Sequence, residues 1–118
     1  MEASLHWFPE DVSPTRLAIT MAGMANMQGG TIILGVAPHS GEIHGIRDQE
    51  AALNLVFQAA LLSDPPLVIP LPSLVPVGKT RVLVITIPAG LPHVYNVDGR
   101  YWGRDGTQTN PLPARRLR

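Results

Sequence analysis

The apolar residues of this chain fall in a few dense blocks punctuated by proline and glycine, and each block has its own period. Ser13-Pro14 reads as a helix start, a hydroxyl N-cap followed by proline at the first helical position, where its missing N–H costs nothing. Beyond it Leu17, Ala18, Met21, Ala22, Met24 and Ala25 recur at helical spacing, which predicts a helix to Gln28 closed by Gly29-Gly30. The run from Thr31 to Val36 is β-branched without polar alternation and predicts a strand buried on both faces. Pro38 to Gly41 predicts a turn, and Glu42 to Ile46 the short returning strand of a hairpin. Asp48 is placed to cap a second helix through Ala51, Leu55, Ala59 and Leu62, ending before Asp64-Pro65-Pro66. Few charges follow Glu50 in that segment, so the helix is expected to be buried or to lie at an interface.

Proline at 65, 66, 70, 72 and 76 argues against a central strand there and for an extended or edge segment. Val77 to Thr80 predicts a tight turn, and Arg81 to Pro88 a second apolar strand with Arg81 at its exposed end. Asp98-Gly99, between His93–Val97 and Arg100–Arg104, is a strong two-residue hairpin signal. Pro111 to Arg118 reads as the opening of another helix or as a tail. The expected architecture is α+β, one domain over residues 1–118 with helices packed against a mixed β-sheet.

Composition narrows the class. At 118 residues and 45% hydrophobic, the chain has enough material for one modest core. Charged residues are only 15%, which points to a surface partly covered by a partner subunit, so a homodimer is expected. Cysteine is absent, which excludes disulfides and thiolate metal sites. The N-terminal residues show neither a basic region nor an apolar run, and no stretch approaches a membrane span, so a cytoplasmic location away from membranes is expected. The net charge is zero but unevenly spread. Residues 1–78 hold two basic and seven acidic groups, a balance of −5, whereas residues 79–118 hold seven basic and two acidic groups, a balance of +5. That asymmetry points either to a polyanion partner for the second half or to halves that pair within the fold.

The stretch Ala22 to Val36 is similar to the core of Schlafen-type AlbA-like domains, in which a helix ends in Ala-x-Asn, two glycines follow, and a buried strand ends in Gly-Val. Gly41-Glu42-Ile43-His44-Gly45-Ile46 resembles that family's Gly-x-Ile-x-Gly-Ile return, and Arg81 to Pro88 its second core strand. Pro92 to Tyr95, followed by Gly99-Arg100-Tyr101-Trp102-Gly103-Arg104 and Asp105 to Thr109, resembles its closing segment. The resemblance spans nearly the whole chain in order. It implies a domain found at the front of bacterial transcription regulators, with relatives that bind nucleic acid and some that cleave RNA.

The nuclease version of the family resembles a carboxylate site, two glutamates five residues apart and an aspartate after the Gly-Val strand, which together hold a divalent cation. Here Glu2 can occupy the first position, but Trp7 stands at the second and Ala37-Pro38-His39 follow the strand. One acid of three cannot hold the metal, so neither catalytic nor metal-ligating residues are expected. Val77-Gly78-Lys79-Thr80 is not a phosphate-binding loop, because the required first glycine is Ser73 and strand-forming residues follow. His6, His39, His44 and His93 lack metal-motif spacing, and no cofactor is implied.

The binding reading rests on Arg81, Arg100, Trp102, Arg104, Arg115 and Arg116, with Tyr95 and Tyr101 nearby. Guanidinium forks fit phosphate and aromatic rings can stack on unpaired bases. Strand alternation would set Arg100, Trp102 and Arg104 on one face of the hairpin. The expectation is therefore a nucleic-acid-binding module, of the DNA-binding regulator type and non-catalytic on its own. The bland alternatives are a Trp102 packed in the core and an Arg104 paired internally. A module that assembles subunits is the competing class, favoured by the apolar second helix and by Met21, Met24 and Met27.

Overall fold

The computed structural model describes residues 4–105 and 108–112. The chain runs β1 (Ser4–Phe8), α1 (Pro14–Ala25), β2 (Gly30–Leu34), α2 (Gln49–Leu62), β3 (Ser63–Asp64), β4 (Ser73–Val77), β5 (Thr80–Ile87), β6 (Asn96–Val97), β7 (Arg100–Asp105) and β8 (Gln108–Pro111). The class is α+β as expected, but the strands form two four-stranded sheets rather than one. The first is mixed, in the order β1-β2-β5-β4, with β1 parallel to β2 and the other pairs antiparallel. The second, β3-β6-β7-β8, is antiparallel throughout. Helix α1 touches both sheets and α2, which explains why eight of its twelve residues are buried.

Local chemistry sets most boundaries. The Ser13 hydroxyl accepts the Arg16 N–H at 3.2 Å, and Asp48 accepts the Ala51 N–H at 3.1 Å, so both expected N-caps are in place. Helix α1 stops at Ala25 rather than Gln28, because Asn26 caps it and the Gly29 N–H returns to Met24 O at 2.8 Å. The proline-rich segment leads into β4, which is an edge strand containing Pro76. Gly78-Lys79 makes the two-residue β4–β5 turn. Asp98 and Gly99, at φ 54° and 78°, make the β6–β7 turn, both in the left-handed region that such a hairpin requires.

Three expectations change. Strand β2 is covered on one face only: Gly30, Ile32 and Leu34 are buried, while Thr31 and Ile33 are half-exposed. Thr31 and Ile33 align with Leu5 and Trp7 on β1 and with Thr86 and Val84 on β5, giving an uncharged outer face that no helix covers. Glu42 to Ile46 does not return as a strand and makes only the bridge between Val36 and Ile43. Its glycines serve close approach instead: a Cβ on Gly45 would overlap the Thr80 side chain, and one on Gly35 would lie 3.0 Å from Gly45. Strand β8 extends through Pro111, the Leu112 N–H donates to Tyr101 O at 2.8 Å, and the expected helix or tail from residue 113 on lies outside the described residues.

The core gathers Phe8, Leu17, Met21, Met24, Ile32, Leu34, Val56, Leu83, Ile85 and Val97 between the helices and the inner faces of the strands. Met21 and Met24 are core residues, whereas Met27 is exposed. Gly23 lets α1 lie directly against the last hairpin, since a Cβ there would come within 2.9 Å of Thr109 Cγ2 and 3.2 Å of Gly103 O. One turn later the Asn26 carboxamide donates to Tyr95 O at 2.8 Å and to Trp102 O at 2.7 Å, and accepts the Tyr95 N–H at 2.6 Å. That side chain fixes the helix end to the chain entering β6 and to β7. Replacing Asn26 with Ala strands three backbone groups at once, and stability should fall by about 2–4 kcal/mol in urea unfolding.

Candidate functional site

Alternation along β1 sends Leu5 and Trp7 to the outer face and Ser4, His6 and Phe8 toward the second sheet. The His6 and Phe8 rings lie 4.3 Å apart, and the Arg16 guanidinium, from the first turn of α1, sits 5.8 Å above the centre of the Phe8 ring. From β7, Arg104 reaches the same place and is only 7% exposed. Its Nε donates to Ser4 Oγ at 3.2 Å, Nη1 to Thr109 Oγ1 at 2.9 Å, and Nη2 to Leu5 O at 3.4 Å and His6 Nδ1 at 2.9 Å.

These contacts fix the electrostatics. A guanidinium only donates, so His6 Nδ1 accepts and the imidazole proton sits on Nε2. His6 Nε2–H finds no acceptor among the described residues. Burial, followed by the charges of Arg104 and Arg16, holds the His6 pKa below its usual 6.5. Desolvation also pulls the Arg104 pKa below the usual guanidinium value. Among the described residues every partner of Arg104 is neutral; elsewhere, exposed His44 Nε2 lies 3.7 Å from Glu42 Oε2, an ion pair only when the imidazole is protonated. The arrangement is a cationic corner whose ring donor has no acceptor among the described residues, suited chemically to an anionic oxygen. No group of three His, Asp or Glu that could hold a metal ion gathers among the described residues.

Of the described residues singled out from the sequence, only Arg104 takes part in this corner. Arg81 is exposed at the start of β5 in the first sheet, and Arg100 is exposed beside the hairpin turn in the second. Arg104 is buried and spends its donors within the protein, because the approach of β1 to β7 and β8 surrounds it with acceptors. Trp102 is partly buried against the core, and its Nε1 is buried with no partner among the described residues, so its ring is not an open stacking platform. Arg115 and Arg116 lie outside the described residues. Tyr95 is buried, its backbone held by Asn26. The sequence reading missed Ser4, His6, Arg16 and Thr109. The available signal was weak: Arg104 and Thr109 have the spacing of a tight hairpin, but His6 matters only once β1 is known to be a strand.

A family model described as Schlafen, AlbA_2 matches residues 5–113. The chain belongs to the Schlafen AlbA_2 family. No curated protein matches it. Among solved structures, this AlbA_2 chain is similar to the DIP2311 protein of Corynebacterium diphtheriae, with TM-score 0.68 and 22% identity over 93% of the chain. It spans only 22% of that protein's length. It is also similar to the N-terminal domain of a RecG-related protein from Nitrosomonas europaea, named for its relation to an ATP-dependent DNA helicase. There the TM-score is 0.67 and the identity 19%, covering 97% of this chain and 84% of the other. At such identities the likeness shows the shared fold. Among the described residues, no helix is long and apolar enough to cross a membrane.

Two predictions follow from the AlbA_2 corner. Lysine at position 104 cannot span four acceptors with one ammonium group, so Arg104→Lys should destabilise the domain by about 1–3 kcal/mol in urea unfolding. For His6 the unfolded chain binds its proton more tightly than the folded one. Its contribution to stability is therefore complete above pH 6.5 and is lost as pH falls below that value through the lower folded pKa. Unfolding midpoints measured between about pH 7.5 and about pH 5 should fall less in His6→Asn than in the wild type.

Proposed function

We propose that this AlbA_2 domain is a nucleic-acid-binding module, of the DNA-binding regulator type and acting in the cytoplasm, that does not cleave its ligand on its own. The observation that carries the reading is the corner formed by Arg104, His6 and Arg16. Arg104 supplies a fixed positive charge set among neutral acceptors, His6 Nε2–H has no acceptor among the described residues, and Arg16 is an exposed guanidinium beside them. A phosphate oxygen at His6 Nε2 would gain a hydrogen bond and the field of both arginines. Family membership and the RecG-related neighbour, whose name concerns a DNA enzyme, point the same way. The non-cleaving part rests on Trp7, which stands where the related nuclease pattern has its second glutamate.

The test is fluorescence anisotropy with short single- and double-stranded DNA and RNA at two salt concentrations. Binding should weaken steeply with salt, because phosphate contacts release counterions. Arg16→Glu should lower affinity by about tenfold. It is expected to fold, since glutamate three residues after Ser13 completes a capping box. Arg81→Glu and Arg100→Glu, on other parts of the molecule, should change affinity much less. Absence of binding at low salt, or full affinity in Arg16→Glu, would overturn the reading. RNA cleavage dependent on added divalent cation would overturn its non-catalytic half.

A further inference from the structure

Helix α2 exposes a complete stripe along one side: Ala51, Asn54, Phe57, Gln58, Leu61 and Leu62. On an ordinary surface helix that stripe carries the charges. Here the residues after Glu50 carry none as far as Asp64, and α2 has no basic residue in its last turn. The apolar surface continues past the helix. The Leu67 N–H donates to Ala60 O at 3.0 Å, which lays buried Leu67 against the last turn, and exposed Val68 and Leu71 follow it in the chain. Phe57, Leu61, Leu62, Val68 and Leu71 are 45%, 71%, 43%, 82% and 74% exposed. These five side chains present on the order of 500 Å² of apolar surface, near the upper limit of what ordinary monomers expose.

We propose that this face pairs with the same face of a second copy of the chain, α2 against α2 across a two-fold axis beside Gln58. Three features support a second copy as the occupant. The first is area: with the exposed rim of Ala51, Asn54, Gln58 and Pro66, the face approaches the roughly 800 Å² per partner of a stable interface. The second is self-complementarity. A two-fold operation lays the helices antiparallel, so Phe57 of one copy meets Leu61 of the other and large apolar groups face each other. The third is charge. No residue of the helix after Glu50 is charged, and an antiparallel arrangement puts the two Glu50 side chains at opposite ends, so no like charges meet within the helix pair. The surface lies on α2 and the segment after it, whereas the cationic corner is built from β1, α1, β7 and β8. The two surfaces share no residue.

The decisive measurement is the solution mass of the chain without nucleic acid, by light scattering after size exclusion at about 100 µM. The wild type should run at twice the 12.7 kDa of one chain. Leu61→Asp, at a position mostly in solvent, should run as a monomer with an unchanged circular dichroism spectrum. Leu61→Lys repeats the test with the opposite charge should the first variant misfold. In a chain with no native cysteine, Gln58→Cys should form a disulfide-linked dimer on mild oxidation, because the axis passes beside it. A monomeric wild type would overturn the proposal and leave the face to another domain or protein. A dimer that survives Leu61→Asp and Leu61→Lys would overturn it in favour of a different surface, the uncharged outer face of the first sheet being the alternative. Because no nucleic acid is present, either result is independent of the binding reading above.

Discussion

A single guanidinium joins the beginning of this chain to its end. Arg104 lies 100 residues from Ser4 and holds it, together with Leu5 O, His6 Nδ1 and Thr109 Oγ1. No backbone ladder pairs β1 with β7, which belong to different sheets, so side-chain chemistry makes the connection. A buried cation is costly unless its donors are satisfied, and five N–H groups in a rigid fork demand several acceptors at set directions. Meeting that demand fixes where β1 lies relative to the β7–β8 hairpin. It also fixes the tautomer of His6 and hence which ring nitrogen carries the proton.

Helix α1 supplies the second constraint, and it works through closeness. It lies between two sheets, which is possible because Gly23 admits the backbone of Gly103 and because Asn26 turns the helix end into a hydrogen-bonding partner for the chain at Tyr95 and Trp102. The Ala25-Asn26-x-x-Gly29-Gly30 pattern thus has a structural meaning: the asparagine satisfies backbone groups of Tyr95 and Trp102, and the glycines release the chain into β2. Together Arg104 and Asn26 bind the second sheet to the first β-α-β unit at two separate points. The cationic corner forms at one of them, so the surface proposed for nucleic acid is a by-product of the same contacts that close the fold.

The two proposed surfaces differ in physical kind. The corner is small, polar and charged, and its strength depends on ionic conditions. The α2 face is broad, neutral and apolar, and responds to burial alone. This division accounts for the sparse charge of the chain: the charged groups needed for folding and for a polyanion are few, and much of the remaining exposed surface is free to be apolar.

Within the sequence itself, the elements set by local chemistry were legible. Ser13-Pro14 and Asp48 start helices through their own side chains, Asp98-Gly99 adopts its turn from intrinsic backbone preference, and the proline run forces an edge. The helical period revealed both helices, continuous β-branched runs revealed the β2 and β5 strands, and the family resemblance followed from the same residues. Three things depended on tertiary structure. Strand β1 is five residues with a histidine on its inner side, so no apolar alternation announces it, and only pairing with β2 makes it a strand. The division into two sheets depends on which strand edges meet across α1, which periodicity does not encode. The fate of the arginines was also undecided, because a guanidinium at a given strand position serves phosphate or the protein interior according to what stands opposite. Arg100 faces solvent and Arg104 faces β1, although both occupy the same strand with the same parity. Local sequence specifies which residues carry charge, and long-range packing determines which of those charges remain available.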